Sequence, residues 1–312
     1  MLSWQHYLMP GNLEEALRLL DRFSGQHRIV AGATDLLPQA REGGKGDTHF
    51  QALVDISRIP ELAGVSLREG RLTVGANTTI ADCLRNPMLL SHAPVLAQCA
   101  AWFGDDAIRE VATLAGNLVN ASPAADGTTA LLALDAQVTL ERLENGNRVK
   151  RELSLREFVT GPRKTRIREG EILTAIAFDA LEKYGSAFEK VGQRRALLLS
   201  TVCLAALAGI NSRKSHFVDV RLALGGIGPT PVRLTECEHF LNGRPANFQT
   251  IREAVGLLQD VVRSRTRREY RREVVRGFVE RALTNALAGC GVTGSPWGIQ
   301  AGAKEMTQGG VA

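Results

Sequence analysis

Two stretches built almost entirely of small residues constrain the fold of this chain more than any other feature. Residues 113–126 read TLAGNLVNASPAAD, and residues 30–37 read VAGATDLL. Small side chains let a backbone approach a neighbour or a ligand closely, and glycines such as Gly32 and Gly116 adopt dihedral angles that other residues avoid. The asparagine, serine and aspartate side chains add hydrogen-bonding groups of short reach. We therefore predict that both stretches form turns that close on one extended, anionic small molecule.

The earlier stretch has the form of a phosphate-binding turn. The apolar run 28–31 predicts a strand that enters it, and successive backbone N–H groups at the end of such a strand can point inward as a nest for a phosphate. No lysine occurs between Val30 and Ala40, and such a nest needs none. Taken alone, this segment is more often a plain strand-to-helix turn. Its pairing with residues 113–126 favours the phosphate interpretation.

Both stretches resemble turns of the flavoprotein subunits of the molybdenum hydroxylases, the group of xanthine dehydrogenase, carbon monoxide dehydrogenase and hydroxybenzoyl-CoA reductase. Residues 30–37 resemble the AGGTDLL turn of that family, and residues 113–126 resemble its ANASPAAD turn. Later landmarks follow in the same order, at 55–62 (DISRIPEL), 72–77 (LTVGAN), 161–165 (GPRKT), 169–173 (EGEIL) and 269–272 (EYRR). The resemblance therefore covers roughly residues 3–288, and the ordered set is more specific than any single motif.

The resemblance implies an α+β fold in two domains. Residues 1–178 would form a two-lobed FAD-binding domain of the PCMH (vanillyl-alcohol oxidase-like) type, with lobes at about 1–57 and 58–178. Residues 179–288 would form a small C-terminal domain of the CO dehydrogenase flavoprotein type, with a three-stranded antiparallel sheet and helices. Residues 289–312 are rich in Gly, Ser, Thr and Gln and predict a flexible tail. No G-x-G-x-x-G follows the first strand, so a Rossmann site is not supported.

The same resemblance implies an oxidoreductase subunit whose cofactor is FAD. A large molybdopterin-containing subunit would oxidise the substrate, and a small subunit with [2Fe–2S] clusters would relay the electrons. This chain would pass them to an external acceptor, either NAD, a quinone or oxygen. Because the substrate would bind to another polypeptide, purines, N-heterocycles, aldehydes, aromatic acyl-CoA thioesters and carbon monoxide all remain open.

The predicted FAD contacts lie in the two turns, together with the family's later lysine. The pyrophosphate is expected on the N–H groups of residues 31–35, and the ribityl chain and flavin along 113–126. The predicted set is Val30, Ala31, Gly32, Ala33, Thr34, Asp35, Leu36, Thr113, Ala115, Gly116, Asn117, Asn120, Ser122, Ala125, Asp126 and Lys164. Ala33 and Ala115 stand where relatives usually have glycine. A positive φ at either position would therefore cost free energy.

Local patterns predict several elements. A capping box at Asn12–Glu15 predicts a helix that buries Leu13, Ala16, Leu17 and Leu20. A helix is expected over 92–102 with Trp102 on its buried side, and another over 128–134 with Asp126 as a plausible N-cap. Asn145-Gly146 predicts a hairpin. In the last third, strands are expected at 187–191, 201–210 and 216–224, the last with Val218 inward, followed by helices at about 247–263 and 267–288.

The distribution of charge limits the functions that this chain can have. The net charge of +5 is concentrated in residues 263–272 and 163–168. This predicts a solvated helix start, a surface for an acidic partner subunit or a nucleic-acid site. Since aromatic residues make up only 5% and only Tyr270 lies among these arginines, no nucleic-acid partner is expected. A non-enzymatic nucleic-acid or phosphate-binding module and a stand-alone FAD-dependent oxidase remain the rival functions.

The five cysteines have no CxxC spacing, so we expect no disulfide framework and no metal. Cys83, Cys99 and Cys203 are expected to be buried. The N-terminus lacks a secretory signal, and the longest apolar run, 196–210, is too short to span a bilayer. We therefore expect a cytoplasmic protein. No nucleophile motif or His–carboxylate pair is evident, as expected of a chain whose chemistry belongs to its cofactor.

Overall fold

The first lobe is a three-stranded parallel sheet with two helices. The structure, a computed structural model, describes residues 2–42, 48–194, 198–258, 260–264 and 266–292. The order of elements is β1 (Leu2–Leu8), α1 (Leu13–Arg22), β2 (His27–Val30), α2 (Leu36–Glu42) and β3 (Thr48–Asp55). Strand β3 lies between β1 and β2 and runs parallel to both. Asn12 caps α1 by accepting from Glu15 N, and the four predicted apolar residues of α1 are buried. The α1 prediction is therefore confirmed.

The second lobe is a five-stranded antiparallel sheet packed against a group of short helices. Its strands lie in the order β4-β5-β10-β6-β7. In chain order the elements are β4 (Val65–Arg68), β5 (Arg71–Gly75), α3 (Ile80–Arg85), α4 (Pro87–His92), α5 (Pro94–Ala101), α6 (Asp106–Val111), α7 (Leu114–Asn120), α8 (Asp126–Ala133), β6 (Gln137–Glu144), β7 (Asn147–Ser154), α9 (Leu155–Phe158), β8 (Val159–Gly161), β9 (Lys164–Thr165) and β10 (Ile172–Asp179). The predicted Asn145-Gly146 hairpin is confirmed as the turn between β6 and β7.

The C-terminal domain is an antiparallel sheet with three helices. Its elements are β11 (Gly185–Gly192), β12 (Ser200–Ile210), β13 (Phe217–Gly225), β14 (Val232–Arg233), α10 (Thr235–Leu241), α11 (Phe248–Val255) and α12 (Arg268–Gly289). The three predicted strands are present, and the short strand β14 adds a fourth at the edge. Helix α10 was not predicted, and α11 ends eight residues before the predicted boundary at 263. The predicted tail, 289–312, lies outside the described residues from 293 onward.

Strand β12 is buried on both faces because it lies between two cores. Cys203, Ala205 and Leu207 belong to the core shared with the first domain, whereas Leu204 and Ala206 belong to the core beneath helices α10–α12. Small residues on this strand let helices pack closely on both sides. The continuous apolar run 201–210 is therefore the signature of a strand covered on both faces.

Two burial predictions were wrong. Trp102 is 51% exposed because α5 ends at Ala101 and Trp102 is its C-cap. Val218 is 55% exposed because the pairing of β12 with β13 is interrupted between Gly209 and Ile210, so the alternation does not extend to the start of β13. The predicted helix over 92–102 corresponds to α5 (Pro94–Ala101), and His92 is instead the last residue of the preceding helix α4.

Part of the arginine-rich stretch 263–272 is occupied by contacts within the protein. The guanidinium of Arg271 donates to the backbone carbonyls of Thr201, Gly226 and Thr266. Burial, and secondarily the nearby Arg267, lowers the pKa of Arg271. Arg272 forms an ion pair with Asp260 at 3.3 Å. Arg271 therefore joins the start of α12 to the sheet of the C-terminal domain.

Candidate functional site

The two small-residue turns meet in one cleft. This cleft has a volume of about 320 Å³ and lies where β2, α2 and α7 converge. All seven predicted residues of the first turn line it, as do five predicted residues of the second turn: Val30, Ala31, Gly32, Ala33, Thr34, Asp35, Leu36, Thr113, Ala115, Gly116, Asn117 and Asn120. The lining also includes apolar side chains such as Ile29 and Phe103. Its size and mixed character are those of a small-molecule site.

Close backbone packing brings the turns together. A Cβ atom at Gly32 would lie 1.9 Å from the carbonyl oxygen of Val111, so only glycine fits there. Residues 112–114 are in turn held by Thr78 and Ile80, through Ile80 N to Ala112 O at 2.9 Å and Leu114 N to Thr78 O at 3.0 Å. The first turn thus rests against the segment that leads into α7.

The first turn presents backbone donors without protein acceptors. Within the part of the chain that the structure describes, the N–H groups of residues 32–35 make no hydrogen bond to protein, whereas Leu37 N donates to Ala33 O at 3.0 Å. Backbone N–H groups that lack a protein acceptor bond to water or to a ligand. Four consecutive free donors beside a cleft fit a diphosphate, which supplies anionic oxygens without a buried lysine. The donor set therefore fits the pyrophosphate of a dinucleotide.

Helix α7 is shaped by side chains that bond to backbone. Thr113 caps it by accepting from Gly116 N at 3.0 Å, and Asn117 accepts from Thr128 N at 3.2 Å. This second bond joins α7 to the first turn of α8. The amide nitrogen of Asn117 has no acceptor within the described residues and remains available to a ligand in the cleft.

The two alanines that replace family glycines differ in backbone conformation. Ala33 has φ 57°, in the left-handed region, whereas Ala115 lies within helix α7 and is buried. A non-glycine residue in the left-handed region costs about 1–2 kcal/mol. The cost predicted from sequence is therefore present at Ala33 and absent at Ala115.

Ala33→Gly is expected to stabilise the protein by about 1 kcal/mol, because the relief of left-handed strain exceeds the entropy cost of glycine. Ala115→Gly, the same change inside a helix, should destabilise by about 1 kcal/mol. Urea unfolding of both variants measures the difference. Equal destabilisation by both changes would contradict the strain at Ala33.

A third wall of the cleft was not among the predicted site residues. Residues 167–173, between β9 and the start of β10, line the cleft, as do His27 and Arg28 of β2. The landmark EGEIL at 169–173 was the available sequence signal, but it served only for the family resemblance. The cleft therefore carries charged side chains that composition and spacing alone did not place there.

Glu171 anchors this third wall. Its side chain is 1% exposed and accepts from Arg151 Nε at 2.6 Å, Arg151 Nη2 at 2.7 Å and Arg168 N at 2.7 Å. Burial by itself raises the pKa of Glu171. The bonds from Arg151 and the Arg168 backbone outweigh it, so the pKa lies below its ordinary value of 4.5.

Glu171→Gln is expected to lower the free energy of unfolding by about 2 kcal/mol at pH 7, since it weakens charge-assisted bonds. Because the folded-state pKa is depressed, the contribution of Glu171 is fully present above its ordinary pKa of 4.5. It is lost as the pH falls through the lower folded value. Urea unfolding from about pH 7 to about pH 3 should therefore show the gap between wild type and variant closing in the acidic range. A gap that is constant with pH would contradict this.

Four predicted site residues lie outside the described lining of the cleft: Ser122, Ala125, Asp126 and Lys164. Ser122 Oγ accepts from Ala124 N at 3.3 Å, Ala125 is buried, and Lys164 is exposed on β9. Their roles toward the cofactor stay predictions.

Asp126 is engaged in a buried network between the two domains. Its carboxylate accepts from Lys190 Nζ and from Ser200 Oγ, both at 2.5 Å, and Lys190 also donates to Trp102 O at 3.0 Å. The prediction of Asp126 as the N-cap of α8 was wrong, because Ala125 occupies that position and Asp126 is the first helical residue. Sequence spacing did not identify Lys190, which lies on β11.

The predicted burial of three cysteines is confirmed. Cys83, Cys99 and Cys203 are each at most 3% exposed, and burial raises the pKa of the Cys83 thiol to about 12. They are therefore protonated packing residues. Among the residues that the structure describes, no group of three His, Cys, Asp or Glu residues is arranged to hold a metal ion. None of the described helices combines the length and apolar character needed to cross a membrane.

Comparisons with known proteins agree with this architecture. Residues 2–178 match the family described as the FAD binding domain in molybdopterin dehydrogenase. Residues 187–286 match the CO dehydrogenase flavoprotein C-terminal domain.

Individual relatives are similar over nearly the whole chain. A putative xanthine dehydrogenase FAD-binding subunit of Escherichia coli (strain K12) is 32% identical over 299 residues, which is 93% of this chain and 99% of that protein. The nicotinate dehydrogenase FAD-subunit of Eubacterium barkeri is 28% identical and covers 90% of this chain and 95% of its own length. Among solved structures, a chain of carbon monoxide dehydrogenase from Hydrogenophaga pseudoflava superposes with a TM-score of 0.81 at 25% identity, covering 91% of this chain and 98% of that chain.

Proposed function

This chain belongs to the FAD-binding subunits of the molybdenum hydroxylases, and we propose that it carries electrons from a partner subunit's [2Fe–2S] clusters to an external acceptor. It is an oxidoreductase subunit, and its cofactor is FAD. When bound, FAD supplies the chemistry that links one-electron donors to a two-electron acceptor. The protein supplies binding, orientation and exclusion of water.

The observation that carries this proposal is the row of free N–H donors at residues 32–35, on the wall of the cleft that both turns share. These donors would hold the pyrophosphate, with the Thr34 hydroxyl as a further donor. Thr113, Gly116, Asn117 and Asn120 would hold the ribityl chain and flavin edge from helix α7. Apolar groups such as Phe103 would keep water from the rings.

The spectrum of the purified chain tests this directly. We expect a yellow protein that releases one FAD per chain on denaturation. A colourless chain that takes up no added FAD would contradict the proposal. If instead the isolated chain oxidised alcohols with oxygen, the stand-alone oxidase would replace the electron-transfer role.

The finer features of the complex form part of the proposal. A large molybdopterin subunit and a small [2Fe–2S] subunit would be the partners, and NAD, a quinone or oxygen the acceptor. The relatives named as subunits of a xanthine dehydrogenase and a nicotinate dehydrogenase support a complex that oxidises a small molecule. We propose that this oxidation takes place on the large subunit. We also propose residues 1–178 as the FAD-binding domain and 179–288 as the second domain. The cytoplasmic location stays a prediction.

A further inference from the structure

Residues 166–171, here called the strap, join β9 to β10, and residues 167–171 belong to the third wall of the cleft. Their attachment to the rest of the molecule is uneven. Both ends are fixed by hydrogen bonds to the second lobe, whereas the tip is held by the side chain of an exposed glutamate.

Arg151 forms hydrogen bonds to both ends of the strap, and at one end its partner is the Glu171 carboxylate. Besides its two bonds to Glu171, Arg151 Nη2 donates to Arg166 O at 2.7 Å. Arg166 N donates to Phe158 O at 2.8 Å. Both ends of the strap are thereby tied to the second lobe, and the Glu171 side chain is almost fully buried. The Glu171–Arg151 bonds are strong because donor and acceptor are both charged and the carboxylate is shielded from water.

The tip contact is of a different kind. Glu169 Oε1 accepts from Gly25 N at 2.8 Å and lies 3.4 Å from His27 Nδ1, both in the first lobe. The Glu169 side chain is 58% exposed, although that of His27 is 9% exposed, and a contact whose carboxylate lies in solvent contributes little to stability. Because His27 and Glu169 both line the cleft, this contact bridges two of its walls.

The small volume of the cleft indicates that one of its walls moves when a large ligand enters. A volume of about 320 Å³ lies at the small end of the range for ligand sites, roughly 300–1,000 Å³. FAD is a dinucleotide with an extended ring system at one end. A wall that is fixed at its ends and lightly held at its tip can move to admit such a ligand while the fold stays intact.

We propose that the strap is a cofactor-retention latch, in which Glu169 fastens the second lobe to the first across the cleft. Release of Glu169 from Gly25 and His27 opens the route by which FAD enters and leaves. Glu169 is a positioning residue, and this inference rests on the proposed FAD-binding function.

The test uses the full chain with and without Glu169→Ala. FAD uptake by the apo protein and FAD release from the loaded protein are followed by flavin fluorescence. We expect both rates to rise about 5-fold, the size of effect that loss of an exposed charged hydrogen bond predicts. The free energy of unfolding of the apo protein should fall by no more than about 1 kcal/mol, the equivalent of a 5-fold change.

Two further variants sharpen the test. Glu169→Gln keeps an acceptor for Gly25 N and removes the charge, so its rates should lie between those of wild type and Glu169→Ala. Glu182→Ala removes an exposed glutamate whose side chain forms no hydrogen bond or ion pair within the described residues, and it should match wild type. Unchanged rates in Glu169→Ala, or faster release without faster uptake, would overturn the latch alone. Failure of the wild-type chain to take up FAD would overturn both proposals.

Discussion

Gly32→Ala is expected to weaken FAD binding about 100-fold or more and to destabilise the protein by about 3 kcal/mol, the upper end of the roughly 1–3 kcal/mol that overpacking costs. The new Cβ would lie 1.9 Å from Val111 O and 2.9 Å from the Cα of Ala112. Both are backbone atoms, so the turn must move away from residues 111–112. The displaced turn carries the free N–H donors. Since a bond to a charged group contributes about 1.5–3 kcal/mol, loss of one or two predicts FAD affinity reduced about 100-fold or more.

The matched control is Gly277→Ala. Gly277 lies in the middle of α12, and a Cβ there would meet no atom within 4 Å. The same chemical change should stabilise that helix by about 1 kcal/mol. Urea unfolding and titration of the apo protein with FAD measure both quantities. FAD affinity within a few-fold of wild type in Gly32→Ala would contradict the turn's role in cofactor binding.

The close approach of the two turns was predictable because it follows from local sequence. Runs of Ala, Gly, Ser and Asn permit backbone contact wherever they occur, and the flanking strand and helix patterns placed the runs at the ends of elements. The sequence also identified Ala33 as a position where a positive φ would cost free energy, and its φ is 57°.

The remaining features depend on contacts between distant parts of the chain. Arg151 lies on β7 and Glu171 directly before β10, and β6 lies between these two strands in the sheet, so their pairing depends on the strand order. Val218 is exposed because of an irregular register with β12, which the alternation of its own strand does not reveal. The local sequence predicted Asp126 as a helix N-cap, but its carboxylate instead accepts from Lys190, a residue 64 positions away. Long-range partners of this kind override local preference.

The second large expected effect is a loss of stability when the buried Asp126–Lys190 ion pair is broken. Their side chains are 7% and 1% exposed, and the pair joins α8 to β11 across the domain boundary. Removing one member of a buried ion pair costs about 3–5 kcal/mol, because the remaining charge stays buried without its partner. Lys190→Met is therefore expected to lower the free energy of unfolding by about 3 kcal/mol or more. Among the described residues, it would leave Ser200 as the remaining donor to the Asp126 carboxylate.

The double variant Asp126→Asn/Lys190→Met separates the charge effect from loss of packing. It removes the buried charge, and the introduced amide can still accept from Ser200 Oγ. The double variant should therefore be more stable than Lys190→Met and recover at least half of the loss.

Lys150→Met is the matched control. Lys150 pairs with Glu152 at 3.1 Å with both side chains more than half exposed, so its loss should cost at most about 1 kcal/mol. Urea unfolding of these variants and of the single variant Asp126→Asn gives the four free energies of a double-mutant cycle. If the effects of the two single substitutions simply add, the pair does not couple the domains through charge, and Lys190 acts only by filling space between α8 and β11.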